Sequence, residues 1–244
     1  MVFGLFSKER ALQKTIEKAT NKLAQQPDRW GALERLRDDG SEEALFGLCK
    51  RWSVTSMKGV EDEQEKNWVV DVLIEKDLRS LAPLRRYMKT ADFLAFPLRV
   101  LERIADHDKI IEIVDEIFAS ELPGYARFPD RRIDLIKWFS EWKGATEEEV
   151  MSRLVPYLTD FDENVRFTVI DSLASRDPKK IGAPLIEALL RPEEESGRIR
   201  RTIFEVLERT KAPLGGRGKE VAAMLTGPSA EDFKVDGDVV KKKR

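Results

Sequence analysis

An apolar stripe at helical spacing returns about every 34 residues along this chain. Val165, Val169 and Leu173 sit four apart, with Ile170 and Ala174 beside them, and Ile199, Ile203 and Leu207 repeat the stripe 34 residues later. Upstream it continues through Ile136 with Phe139, Leu101 with Ile104, and Val70 with Leu73. The last core position of each unit falls at Leu36, Leu73, Ile104, Phe139, Leu173 and Leu207, in steps of 37, 31, 35, 34 and 34. Side chains four apart share one face of a helix. A period of this length holds two helices and a turn. The expected fold is therefore all-α, an α-solenoid made of a superhelix of antiparallel helix pairs.

Helix starts carry their own signals. Ser41, Thr146 and Asp162 are each followed by acids; a cap oxygen accepts free backbone N–H groups, and carboxylates suit the positive end of the helix dipole. Pro129, Pro178 and Pro192 stand near starts, where a missing N–H costs nothing. Helices are expected over 8–25, 28–38, 41–52, 62–75, 77–90, 92–105, 107–119, 130–143, 146–159, 162–175, 178–190, 195–209 and 215–226. No segment reads as a strand. The expected organisation is an apolar N-terminal end at 1–7, a solenoid over 8–226 of about six helix pairs plus a final helix, and a flexible charged tail at 227–244.

Residues 146–209 resemble a HEAT repeat. Val150-Met-Ser-Arg-Leu154-Val-Pro156-Tyr-Leu158-Thr-Asp160-Phe-Asp162-Glu-Asn-Val165-Arg166 looks like a proline-containing helix A, a tight turn with Asp, and Val-Arg opening helix B. Ile181-Gly-Ala-Pro184-Leu185 through Ile199-Arg200 has the same form, and Leu78-Arg-Ser-Leu81-Ala-Pro83-Leu84 supplies a third such helix A. The connector Glu121–Pro129 is longer than a usual turn, and Pro97 sits in a helix B. The HEAT-like resemblance, which extends to the bilin lyase type, implies a binding scaffold. It also implies that the turn Asp caps helix B and that Arg166 and Arg200 pair between neighbouring repeats. Interior prolines are expected to bend their helices and set the curvature.

Composition narrows the function classes. The chain is 41% hydrophobic and 36% charged, enough apolar material for a core, with a net charge of -2. That balance is unlike a dedicated nucleic-acid binder. A single Cys and a single His leave no intramolecular disulfide and no site built on two imidazoles. The apolar N-terminal run is too short for a secretory signal and Val2 replaces the glycine needed for myristoylation, so a cytoplasmic location is expected. Phe3, Leu5 and Phe6 are expected to pack on the first helix, and Lys241–Arg244 to lie in solvent.

Candidate chemistry is sparse. His107 falls in a turn, Asp106-His107-Asp108, and Cys49 in an apolar helix, where a thiol behaves as a small hydrophobe. Gly215-Gly216-Arg217-Gly218-Lys219-Glu220 departs from the phosphate-loop pattern at both ends and is expected to open the last helix with spare backbone N–H groups. Asp160 and Asp162 lack the spacing of a calcium loop. No catalytic residue, metal ligand or cofactor is expected.

On the helix near 131–142, Asp134, Trp138 and Trp142 share one face with Arg131 nearby. This set is similar in composition to the HEAT-like alkylpurine DNA glycosylases, which makes DNA chemistry or nucleic-acid binding the second reading. Basic residues also gather at Arg176, Lys179, Lys180, Arg198, Arg200, Arg201, Arg209 and Lys211. The first reading is a non-enzymatic scaffold or adaptor binding another protein along its stacked B helices. Its expected contacts are Arg132, Trp138, Arg166, Arg200 and Arg201.

Overall fold

The computed structural model describes the backbone of residues 2–243 and the side chains of residues 8–243. The expectations for the side chains of Phe3, Leu5 and Phe6, and for Arg244, lie outside the described residues. The chain is predominantly helical and divides into two compact units, Met1–Ser120 and Glu121–Arg244. The division falls at the long connector that begins with Glu121.

The first unit holds α1 (Val2–Ala19), α2 (Gln26–Asp39), α3 (Glu42–Cys49), α4 (Gly59–Glu75), α5 (Leu81–Met88), α6 (Ala95–Ile104) and α7 (His107–Ser120). Alternate helices stack: α2 packs on α4, α4 on α6, and α3 on α5. Leu33, Leu36, Leu45, Leu48, Leu73, Leu84 and Leu101 fill the space between the layers. Gly47 lets α3 approach α1 closely, because a Cβ there would stand 2.6 Å from Ile16 Cγ1.

A buried charge cluster crosses this core. Glu65 accepts from Arg29 Nη2 at 2.9 Å and from Arg51 Nε at 2.7 Å. Arg51 also reaches Asp62 at 2.6 Å, and Lys66 pairs with Asp62 at 2.7 Å. Burial alone would push the Asp62 carboxyl up. Hydrogen bonds from Lys66, Arg51 and the Ser56 N–H outweigh that effect and hold it at about 2.

The second unit holds α8 (Asp130–Glu141), α9 (Glu147–Leu154), α10 (Glu163–Leu173), α11 (Pro178–Leu190), α12 (Gly197–Thr210), α13 (Gly218–Ala223) and α14 (Gly227–Asp232). A hairpin follows, β1 (Phe233–Asp236) and β2 (Val239–Lys242). Helix α10 lies between α8 and α12, and α11 packs against α12. Each of the expected helices is present. Thr146 and Glu149 form a capping box on α9, and Asp162 caps α10 through Asn164 N–H at 2.8 Å and Val165 N–H at 3.1 Å.

The prolines act differently from expectation. Only Pro184 lies inside an α-helix. At Pro156 the chain tightens into a 3-10 segment, Val155–Thr159, and Pro83 and Pro97 each stand in the first turn of their helices. A proline lacks the N–H for an i→i−4 bond, so the chain restarts or tightens there.

The segment 227–244, expected as a flexible tail without strands, is instead α14 and the antiparallel hairpin. Phe233 is buried and stacks on Phe204 with centroids 6.0 Å apart, and Val240 is buried as well. These two apolar anchors give the polar segment a place to dock. Gly237, at φ 63, turns the two strands.

Candidate functional site

The site grows from a repeated arginine. Arg132, Arg166 and Arg200 stand 34 residues apart, near the starts of α8, α10 and α12. Arg166 Nε and Nη2 grip Glu194 at 2.7 and 3.0 Å, while Nη1 donates to the carbonyls of Asp160 and Phe161 at 2.9 and 3.0 Å. Arg132 Nη1 donates to Asp160 Oδ2 at 2.6 Å and to the Gly124 carbonyl at 2.9 Å. Each arginine thus pairs with an acid 28 residues ahead and holds its own turn by a carbonyl.

The acids hold backbone too. Asp160 accepts from Asp162 N–H at 2.8 Å and Gly124 N–H at 3.3 Å, and Glu194 from Ser196 N–H at 3.0 Å. Buried pairs keep their geometry only when the remaining donors and lone pairs are satisfied in this way. The ladder fixes three successive turns as one edge of the second unit. Tyr157 reinforces it, donating its hydroxyl to the Glu121 carbonyl at 2.7 Å; burial pushes that hydroxyl up to about 12.

The expected contact residues separate. Arg132 and Arg166 are buried with carboxylates, so the expectation that they meet a partner is corrected. They are ladder residues, as the HEAT resemblance implied for Arg166. Arg200 is half-buried and donates to the Glu194 carbonyl; among the described residues no carboxylate pairs with it, and its Nε is buried without a partner. Arg201 is more open and joins α12 to Asp232 at 2.7 Å and to Glu205 at 3.0 Å. Trp138 is half-buried and stacks on the buried Trp142, centroids 5.6 Å apart at 11°.

The other candidates are quiet. Cys49 is fully buried and its thiol is pushed well up by burial. His107 is exposed beside Asp108. In the glycine loop, Gly216 N–H is taken by Asp238 Oδ1 at 3.0 Å and Leu214 N–H by the Asp238 carbonyl at 2.8 Å. The chain's own Asp238 therefore holds part of the place reserved for an anion.

Sequence reasoning missed what the ladder carries on its outer side. Among the described residues, the large apolar side chains of the second unit that stand mostly in solvent are Leu122, Tyr125, Phe128 and Phe161, between 63% and 77% exposed. All four lie on the connector 121–129 or on the turn it joins. Tyr125 and Phe161 meet edge to face, centroids 5.5 Å apart. Beside them runs an open groove of about 780 Å³ between the turns near 124, 160 and 193. The available signal was the aromatic content of turn segments, which no helical stripe explains.

Among the described residues no helix is long and apolar enough to cross a membrane. No family model, curated protein or solved structure matches the chain.

Proposed function

We propose that this chain is a non-enzymatic protein-binding scaffold of HEAT-like helix pairs, working in the cytoplasm, and that the turn edge of its second unit is a contact surface. One observation carries the reading: Leu122, Tyr125, Phe128 and Phe161 are exposed together on an edge held by buried ion pairs. An exposed apolar cluster with a polar rim is the signature of an interaction site. Aromatic side chains supply large contact area there. A rigid edge also loses little conformational freedom on binding, which favours affinity. The proposed contacts thus move from Arg132 and Arg166 to the aromatics, with Arg200 and Arg201 as neighbours on α12. Cytoplasmic placement agrees with a lone thiol, Cys49, kept buried.

The test is affinity capture from native cytoplasm with tagged protein, with and without nuclease, at two salt concentrations. A stoichiometric protein that survives nuclease supports the reading. Recovery of nucleic acid alone, lost at the higher salt, overturns it in favour of nucleic-acid binding.

A further inference from the structure

The turn-edge groove carries a charge pattern that narrows the class of partner, given the scaffold reading above. Its inner charges are matched: Asp160 by Arg132, Arg166 by Glu194, and Glu163 by Arg198 at 3.1 Å. Arg191 is mostly buried, donates to the Thr159 carbonyl at 3.3 Å and lies 3.7 Å from Glu194. Two lining carboxylates, Glu193 and Glu195, stand exposed, and among the described residues no cation pairs with either. Across the groove from them is the Tyr125–Phe161 pair, whose edge-to-face packing leaves aromatic surface in solvent.

We infer that this groove binds a basic segment of a partner protein, an arginine or lysine flanked by apolar residues. A cation is attracted to an aromatic face and gains a charge-assisted bond from a carboxylate beside it. The flanking apolar side chains of such a segment match Leu122 and Phe128 on the same edge. An anionic partner would face two unscreened carboxylates, and a wholly apolar one would leave both without a counter-charge.

The test uses the full chain and two fluorescein-labelled peptides, Gly-Leu-Arg-Arg-Leu-Gly and its glutamate counterpart Gly-Leu-Glu-Glu-Leu-Gly, followed by fluorescence polarisation. The arginine peptide is expected to bind at least ~10-fold more tightly than the glutamate peptide, and Phe161→Ser or the double variant Glu193→Gln/Glu195→Gln to weaken it ~5-fold or more. Phe93→Ser, on the first unit, is the control and is expected to change nothing. All these side chains are exposed, so circular dichroism is expected to stay unchanged. Equal binding of the two peptides, or full affinity in the groove variants, overturns the inference. The scaffold reading is separated from it by capturing partners with wild type and Phe161→Ser in parallel. A protein captured equally by both overturns the basic-segment site and leaves the scaffold standing. Capture of no protein by either overturns both.

Discussion

Arg166 and Glu194, 28 residues apart in sequence, meet in a buried two-point ion pair at 2.7 and 3.0 Å. Few other contacts decide as much about the second unit, because this pair ties the turn before α10 to the turn before α12. Removing the acid would leave a buried guanidinium without its counter-charge. Glu194→Ala is therefore expected to destabilise the protein by about 3–5 kcal/mol, read by urea unfolding. Arg166→Lys is expected to be disruptive as well, since an ammonium cannot make the two-point grip. A loss under about 1 kcal/mol for Glu194→Ala would fit an exposed pair and contradict the ladder.

The charge cluster of the first unit makes stability depend on acid. The folded Asp62 carboxyl sits at about 2, below its ordinary 3.8. Its contribution is thus fully present above the ordinary value and is lost as pH falls through about 2. The shift is worth on the order of 2 kcal/mol at neutral pH. Unfolding free energy measured from pH 5 down to pH 2 is expected to fall. Asp62→Asn is expected to be less stable at pH 7 and to show a shallower fall. An equal pH slope in wild type and variant would contradict this role.

Two glycines make a matched pair of opposite sign. A Cβ at Gly182 would stand 2.5 Å from the Pro213 carbonyl oxygen, whereas Gly31, inside α2, meets nothing within 4 Å. Gly182→Ala is expected to destabilise by about 1–3 kcal/mol through overpacking. Gly31→Ala is expected to stabilise by about 0.5–1 kcal/mol through helix propensity. Thermal unfolding of both variants checks the pair.

Cys49 is expected to resist a thiol reagent in the native protein at pH 8 and to react fully in denaturant. Its thiol is completely buried, and burial opposes the reactive thiolate. Stoichiometric labelling of the native chain within minutes would contradict that packing.

Most of the helices were legible because their apolar stripes and caps are local signals; Thr146, Asp162 and the Val165–Leu173 stripe each act within one helix. The ladder was half legible. Arg132, Arg166 and Arg200 share the 34-residue step with the acids Asp160 and Glu194, yet burial depends on how turns pack, which spacing alone does not state. Trp138 shows the same limit, since a residue on a helical face has no sequence mark for half-burial. The hairpin had a signal that low hydrophobicity obscured: Val235 and Val240 pair across a two-residue turn at Gly237-Asp238. Tyr125 and Phe161 lie in turns, where periodicity says nothing about exposure.

The most direct measurement on the turn edge compares partner capture by the wild-type chain and by the double variant Tyr125→Ser/Phe161→Ser, quantified after nuclease treatment. Both side chains are mostly in solvent, so the variant is expected to unfold at the wild-type temperature. The expected result is a nuclease-resistant protein partner with wild type and at least ~10-fold less of it with the variant. Undiminished capture by a folded variant would contradict the assignment of this edge as the binding surface.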